Sequence, residues 1–186
     1  MRIPRPALPV LVLSSLSGFL TGVALPVVRE SVMSSVGSRL ISLEMLLVCL
    51  STMTVSLFWD KVQGFIVRYY KTLKIAELVS LIPFYLPFLI TWRPVTYFLV
   101  ELFYYVLVSH LFFKGWQSVK LILLSDPQEV IDFDTAFDFF QSVSSMAGYL
   151  VALFCVLSIR LSLFMLFLSD VLAILGRLVF YKRYSV

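Results

Sequence analysis

Six long runs of apolar residues, divided by short charged stretches, leave this chain few ways to fold. They lie at approximately Ala7–Val28, Leu40–Phe58, Ile75–Ile90, Val95–Phe113, Phe137–Leu157 and Leu161–Tyr181. A helix needs about 20 residues to cross the hydrocarbon core of a bilayer, and each run is close to or above that length. Within lipid every backbone N–H and C=O must find a partner in the protein, which only helices and closed barrels provide. Barrel strands alternate polar and apolar side chains, whereas these runs are unbroken. The expected fold is therefore all-α, a polytopic membrane protein with six transmembrane helices forming one domain over residues 1–186.

Composition points the same way. Hydrophobic residues make up 60% of the chain and charged ones 14%, with a mean hydropathy of +0.97. A soluble domain carries about 25% charged residues. Trp59, Trp92 and Trp116 fall at the edges of runs, where an aromatic belt is expected. Pro26, Pro83 and Pro87 lie within runs and are tolerable where neighbouring helices re-satisfy the freed carbonyls. Arg2 and Arg5 ahead of an apolar stretch ending near Ala24 resemble a cleaved signal peptide, but the run continues to Val28 and is long enough to be a retained span. Cys49 and Cys155 sit in apolar surroundings as small hydrophobes, without a disulfide framework or metal-ligand spacing.

The net charge of +4 does not indicate nucleic-acid binding, because the basic residues are spread between the runs. Alternate loops differ in their basic content. One side holds Arg2, Arg5, Lys61, Arg68, Lys71, Lys74, Lys114, Lys120, Arg177, Lys182 and Arg183, and the other Arg29, Arg39, Arg93 and Arg160. The positive-inside bias then places both termini in the cytoplasm. Between the fourth and fifth runs, Ser125-Asp126-Pro127-Gln128-Glu129 reads as a turn followed by a helix start, accompanied by Asp132, Asp134 and Asp138. That acidic stretch is expected either as a solvated helix entrance or as a partner for the basic loop after the second run.

Catalytic constellations are missing. His110 is the only histidine, no Gly-rich phosphate loop is present, and no channel filter motif occurs. Asp132, Asp134 and Asp138 offer oxygen ligands, but not in a calcium-loop spacing, so no metal and no cofactor is expected and an enzyme is improbable. Ionisable residues at membrane depth are costly to bury and are the default candidates for function. They are Glu101 in the fourth run, Asp170 in the sixth, Glu44 near the outer end of the second and His110 near the inner end of the fourth. Glu44 could instead snorkel outward, and His110 could serve as an interfacial anchor. Phe98, Phe103, Tyr104 and Tyr105, and Ser51, Thr52, Thr54 and Ser56, read first as helix packing.

The stretch Ser56-Leu57-Phe58-Trp59-Asp60-Lys61-Val62-Gln63-Gly64, followed by Arg68-Tyr69-Tyr70-Lys71 and Thr72 to Leu78 with Glu77, resembles the signature loop of the major facilitator superfamily. Lys71-Thr72-Leu73 through Glu77-Leu78 looks like its macrolide-efflux-type members. Asp134 to Asp138, with Met146-Ala147-Gly148, is similar in spacing to that subgroup's fifth helix, and Phe167-Leu168-Ser169-Asp170 to its sixth. Ser56 replaces the family's first Gly, Gln63 takes the second Gly position with Gly64 displaced by one, and Tyr69-Tyr70 replace paired basic residues.

The resemblance implies one six-helix half of a transporter whose halves are parallel repeats, with the solute site between them. A homodimer or a separately supplied second half would complete it. Asp60, Lys61, Gly64, Arg68, Lys71 and Glu77 would form a gate, Asp60 pairing with Arg68 or Lys71 or capping a helix. Glu44, Glu101, His110 and Asp170 would serve a small amphipathic or hydrophobic solute or a proton, with export implied by the subgroup. A non-transporting accessory or scaffold subunit of a larger membrane complex is the alternative, favoured by the altered signature and the missing half.

Overall fold

A computed structural model describes residues 7–104, 110–124 and 126–184. The described residues form seven helices and no strand: α1 (Leu8–Val36), α2 (Ser38–Arg68), α3 (Tyr70–Ile90), α4 (Pro94–Tyr104), α5 (His110–Leu123), α6 (Pro127–Phe154) and α7 (Ile159–Tyr184). Five of them are long and apolar enough to cross a membrane, within Leu8–Val36, Ser42–Arg68, Tyr70–Ile90, Pro127–Phe154 and Ile159–Lys182. An all-helical, polytopic membrane architecture accords with these features.

Several helices outrun their apolar segments, because hydropathy marks immersion and not the end of helical hydrogen bonding. α1 continues eight residues past Val28, α2 continues through Trp59 to Arg68, and α6 begins ten residues before Phe137. The run Val95–Phe113 corresponds to two described helices, the short apolar α4 and the more amphipathic α5, with residues 105–109 outside the described set. The turn at Asp126 forms as expected: its carboxylate accepts the Gln128 N–H at 2.9 Å and Pro127 takes the first helical position. Replacing this cap, Asp126→Ala, should cost about 1 kcal/mol in thermal or denaturant unfolding while leaving the cavity described below intact.

At the centre, α1 packs against α6 and α7, while α3 lies on α7 and α4 on α1. Small residues permit the α1–α6 approach, as at other membrane helix interfaces. A Cβ on Gly22 would fall 2.2 Å from the Ser145 carbonyl oxygen, and one on Gly148 would fall 2.3 Å from that of Phe19. Between them the Ser145 hydroxyl donates to the Gly18 carbonyl at 3.1 Å. α2 is the loosest helix; it lies mainly along α5, where Gly115 admits Ile66.

Apolar side chains gather in two clusters. One joins Val10, Leu11, Tyr70, Trp116, Phe133 and Phe180, with Trp116 and Phe133 about equally close to the Phe180 ring, at 5.1 and 5.0 Å. The other joins Val28, Leu81, Tyr85, Phe88, Tyr97, Phe98 and Leu163. Trp116 thus departs from the belt position expected of it: only 4% exposed, it fills the first cluster because α5 turns its ring inward over Tyr70. Trp92 instead donates to the Ser31 hydroxyl at 3.0 Å. Cys49 and Cys155 are exposed, free thiols.

Candidate functional site

Between the two apolar clusters the bundle becomes polar. Along α1 the change falls between Leu11 and Val28, where Ser17 and Thr21 face inward; along α3 it falls at Lys74 and Glu77, and along α7 at Ser169, Asp170 and Arg177. α1, α3, α4, α6 and α7 enclose there a cavity of about 320 Å³. Its polar lining comprises Ser17, Thr21, Glu77, Tyr85, Tyr97, Glu101, Tyr104, Gln141, Ser169, Asp170 and Arg177. Leu25, Leu81, Phe84, Leu166, Ala173 and Ile174 complete the walls.

The ionisable groups are held in defined pairs. Lys74 is fully buried and ion-paired with Glu77 one turn on, and its ammonium lies 4.5 Å from the Phe112 ring centroid. The other Glu77 oxygen accepts from the Tyr104 hydroxyl at 3.3 Å. Arg29 reaches both Glu44, at 3.3 Å, and Glu101, at 3.9 Å, joining α1 to α2 and α4. Asp170 accepts from the Tyr85 hydroxyl at 2.7 Å. Deeper on α1, the hydroxyls of Ser17 and Thr21 meet that of Ser169 at 2.9 and 2.7 Å, while Ser169 donates to the Ser17 carbonyl at 2.9 Å. Buried charges are tolerable when paired and hydrogen-bonded in this way, and ionisable groups within apolar bundles are the default candidates for a site.

Glu101, Asp170 and Glu77, separated by up to 93 residues of sequence, therefore line one cavity, and Glu44 joins them through Arg29. His110 opens α5, but its side chain lies outside the described residues. The proposed gate residues do not assemble. Asp60, Lys61, Gly64 and Arg68 lie inside α2 and Lys71 on α3, and all of these are exposed. Lys61 covers the Phe58 ring and Arg68 the Tyr69 ring, each at 5.6 Å, and among the described residues Asp60 has no ion pair within 4 Å. Because the helix runs on to Arg68, the loop expected to carry these contacts is reduced to Tyr69. In α6, Asp134 pairs with the buried Lys120 of α5, Gly148 packs on α1, and Asp138 is exposed.

Sequence reading missed Arg29, Lys74, Tyr85, Tyr104, Gln141 and Arg177. Lys74 and Lys120, counted among the basic loop residues, are 0% and 1% exposed and ion-paired. A signal was present: Lys74 and Glu77 stand three apart, and Asp170 and Arg177 seven apart, both helical same-face spacings. Compared with protein-family models, curated proteins and solved structures, the chain matches none.

Proposed function

We propose that this is a major-facilitator-like membrane transport protein, one six-span bundle that joins a second copy or a second six-helix half and moves a small amphipathic or hydrophobic solute, with proton-coupled export and both termini cytoplasmic. The observation that carries the reading is the polar cavity, with Glu77, Glu101, Asp170 and Arg177 on its wall in the middle of an otherwise apolar bundle. Solute sites of secondary transporters lie near the bilayer midplane, where ionisable residues are otherwise avoided.

Packing order supports it. Taking α4 with α5 as the fourth span, exchange of the first three spans with the last three carries the α1–α6 contact onto α2–α5, and α1–α2 onto α5–α6. The α3–α7 and α1–α4 contacts map onto themselves, whereas the extensive α1–α7 contact maps onto α3 and α4, which meet only slightly, through the Phe84 and Phe88 rings against Tyr97. Contacts of α2 with α3 and of α5 with α7 fall outside the scheme. Nested three-plus-three repeats of this kind make up each half of a major facilitator transporter. Assembly is supported by α6, whose exposed Asp138, Gln141 and Ser142 border a shallow depression that lipid would leave unsatisfied.

Reconstituted into vesicles with an imposed pH gradient, the protein should take up at least one of a panel of amino acids, amphipathic amines and neutral aromatics. Replacing Glu44, Glu101 and Asp170 by their amides together should slow this uptake at least tenfold. A rate indifferent to pH and to those replacements would remove the proton coupling. The accessory-subunit reading draws on the loosely packed α2, and it would gain if a correctly folded protein moved nothing and co-purified with an unrelated membrane complex.

A further inference from the structure

In and around the cavity, the charges divide into those with an ion-pair partner and those without. Lys74 and Glu77 form a closed pair on α3, and Arg29 of α1 is the ion-pair partner of both Glu44 of α2 and Glu101 of α4, one guanidinium shared by two carboxylates. α6 contributes an uncharged amide, Gln141. That leaves one acid and one base on α7. Among the described residues neither Asp170 nor Arg177 has an ion-pair partner within 4 Å, and both line the same cavity. Seven residues apart, they lie on one helix face, about 10.5 Å apart along its axis, not ion-paired with each other and within reach of a molecule set between them.

We propose that the cavity binds a small zwitterion, an amine carboxylate of the amino-acid class, with its ammonium on Asp170 and its carboxylate on Arg177. This rests on the reading of the cavity as a solute site. An unpaired charge in a low-dielectric interior is unfavourable, and a ligand bearing both opposite charges compensates both residues without changing the net charge of the site. Tyr85 donates to one oxygen of Asp170, which leaves the other open to an ammonium. The planar guanidinium of Arg177 suits two-point recognition of a carboxylate. Phe84, Tyr97 and Tyr104 supply ring surface for an apolar substituent, and about 320 Å³ lies at the small end of ligand pockets.

The test is binding to the intact protein in detergent, by calorimetry, using probes that differ only in charge: L-phenylalanine, phenethylammonium and 3-phenylpropionate, with L-leucine as a second zwitterion. Phenylalanine should bind at least tenfold more tightly than either singly charged analogue, since each removes one charge-assisted contact. Asp170→Asn should weaken phenylalanine and leave 3-phenylpropionate unchanged; Arg177→Gln should weaken phenylalanine and leave phenethylammonium unchanged. Equal affinity for phenylalanine and phenethylammonium overturns the role of Arg177, and equal affinity for phenylalanine and 3-phenylpropionate that of Asp170. Absence of binding by both zwitterions overturns the site, as does a uniform loss of all probes in both variants. The comparison on the unaltered protein holds even where a variant fails to fold. Zwitterion binding without vesicle uptake removes the transport reading alone, whereas pH-driven uptake of a different solute without zwitterion binding removes this inference alone.

Discussion

Gly22→Leu and Gly148→Leu are each expected to leave little folded protein. At both positions the obstacle is backbone: the new Cβ would meet Ser145 O at 2.2 Å or Phe19 O at 2.3 Å, and a carbonyl cannot rotate aside as a side chain can. The helices must separate, and the α1–α6 seam is the most extensive contact in the bundle. Overpacking a core against movable side chains costs about 1–3 kcal/mol, so a cost above about 3 kcal/mol is expected here. The internal control is Gly64, which lies inside α2, where an added methyl group would meet nothing within 4 Å. Gly64→Ala should be neutral or stabilising by about 0.5–1 kcal/mol, the ordinary gain from removing a helical glycine. Thermal unfolding in detergent, followed by circular dichroism, separates the two cases; a Gly22→Leu protein that melts like the parent would contradict the seam.

The second large effect concerns the buried α3 pair. Lys74→Met removes the ammonium from a fully buried site and leaves Glu77 with the Tyr104 hydroxyl, at 3.3 Å, as its remaining close partner. Breaking one side of a buried ion pair costs about 3–5 kcal/mol, because the surviving charge is still desolvated. Lys74→Met combined with Glu77→Leu should recover most of that loss, since an apolar pair of similar volume carries no desolvation penalty. Stability of the double variant at or below that of the single one would show that Glu77 is sustained by something other than Lys74. Lys74→Arg keeps the charge but not the compact ammonium that sits against the Phe112 ring, and an intermediate loss is expected.

The helical, membrane-crossing character was legible because an unbroken apolar run such as Leu161–Tyr181 permits little else in lipid. Helix ends were less so. Trp59 to Arg68 carries enough charge to look like a loop, yet it continues α2, since polar side chains outside the hydrocarbon do not interrupt backbone hydrogen bonding. Glu101 and Asp170 could be singled out one at a time from the cost of burying a carboxylate, and both reach the cavity. What converges on them could not. Arg29 joins Glu44 and Glu101 across three helices, and Tyr85 reaches Asp170 across 85 residues, relations fixed by how the helices pack. Lys74 was hidden for a different reason: a basic residue near a run's edge reads as a topology signal whether it points to water or into the bundle.

The hydroxyl cluster at Ser169 sets a limit on how protons can travel. Its single proton can go to only one of the Ser17 carbonyl, the Ser17 hydroxyl and the Thr21 hydroxyl; when it goes to the carbonyl, Ser17 and Thr21 both donate to its oxygen, filling both lone pairs. Relay along a chain of hydroxyls requires each member to hand on its own proton as it receives another. Here the last acceptor is an amide carbonyl, which has none to give. In that arrangement the knot passes no proton between α1 and α7, and Asp170 is left with the Tyr85 hydroxyl and the cavity as its polar surroundings.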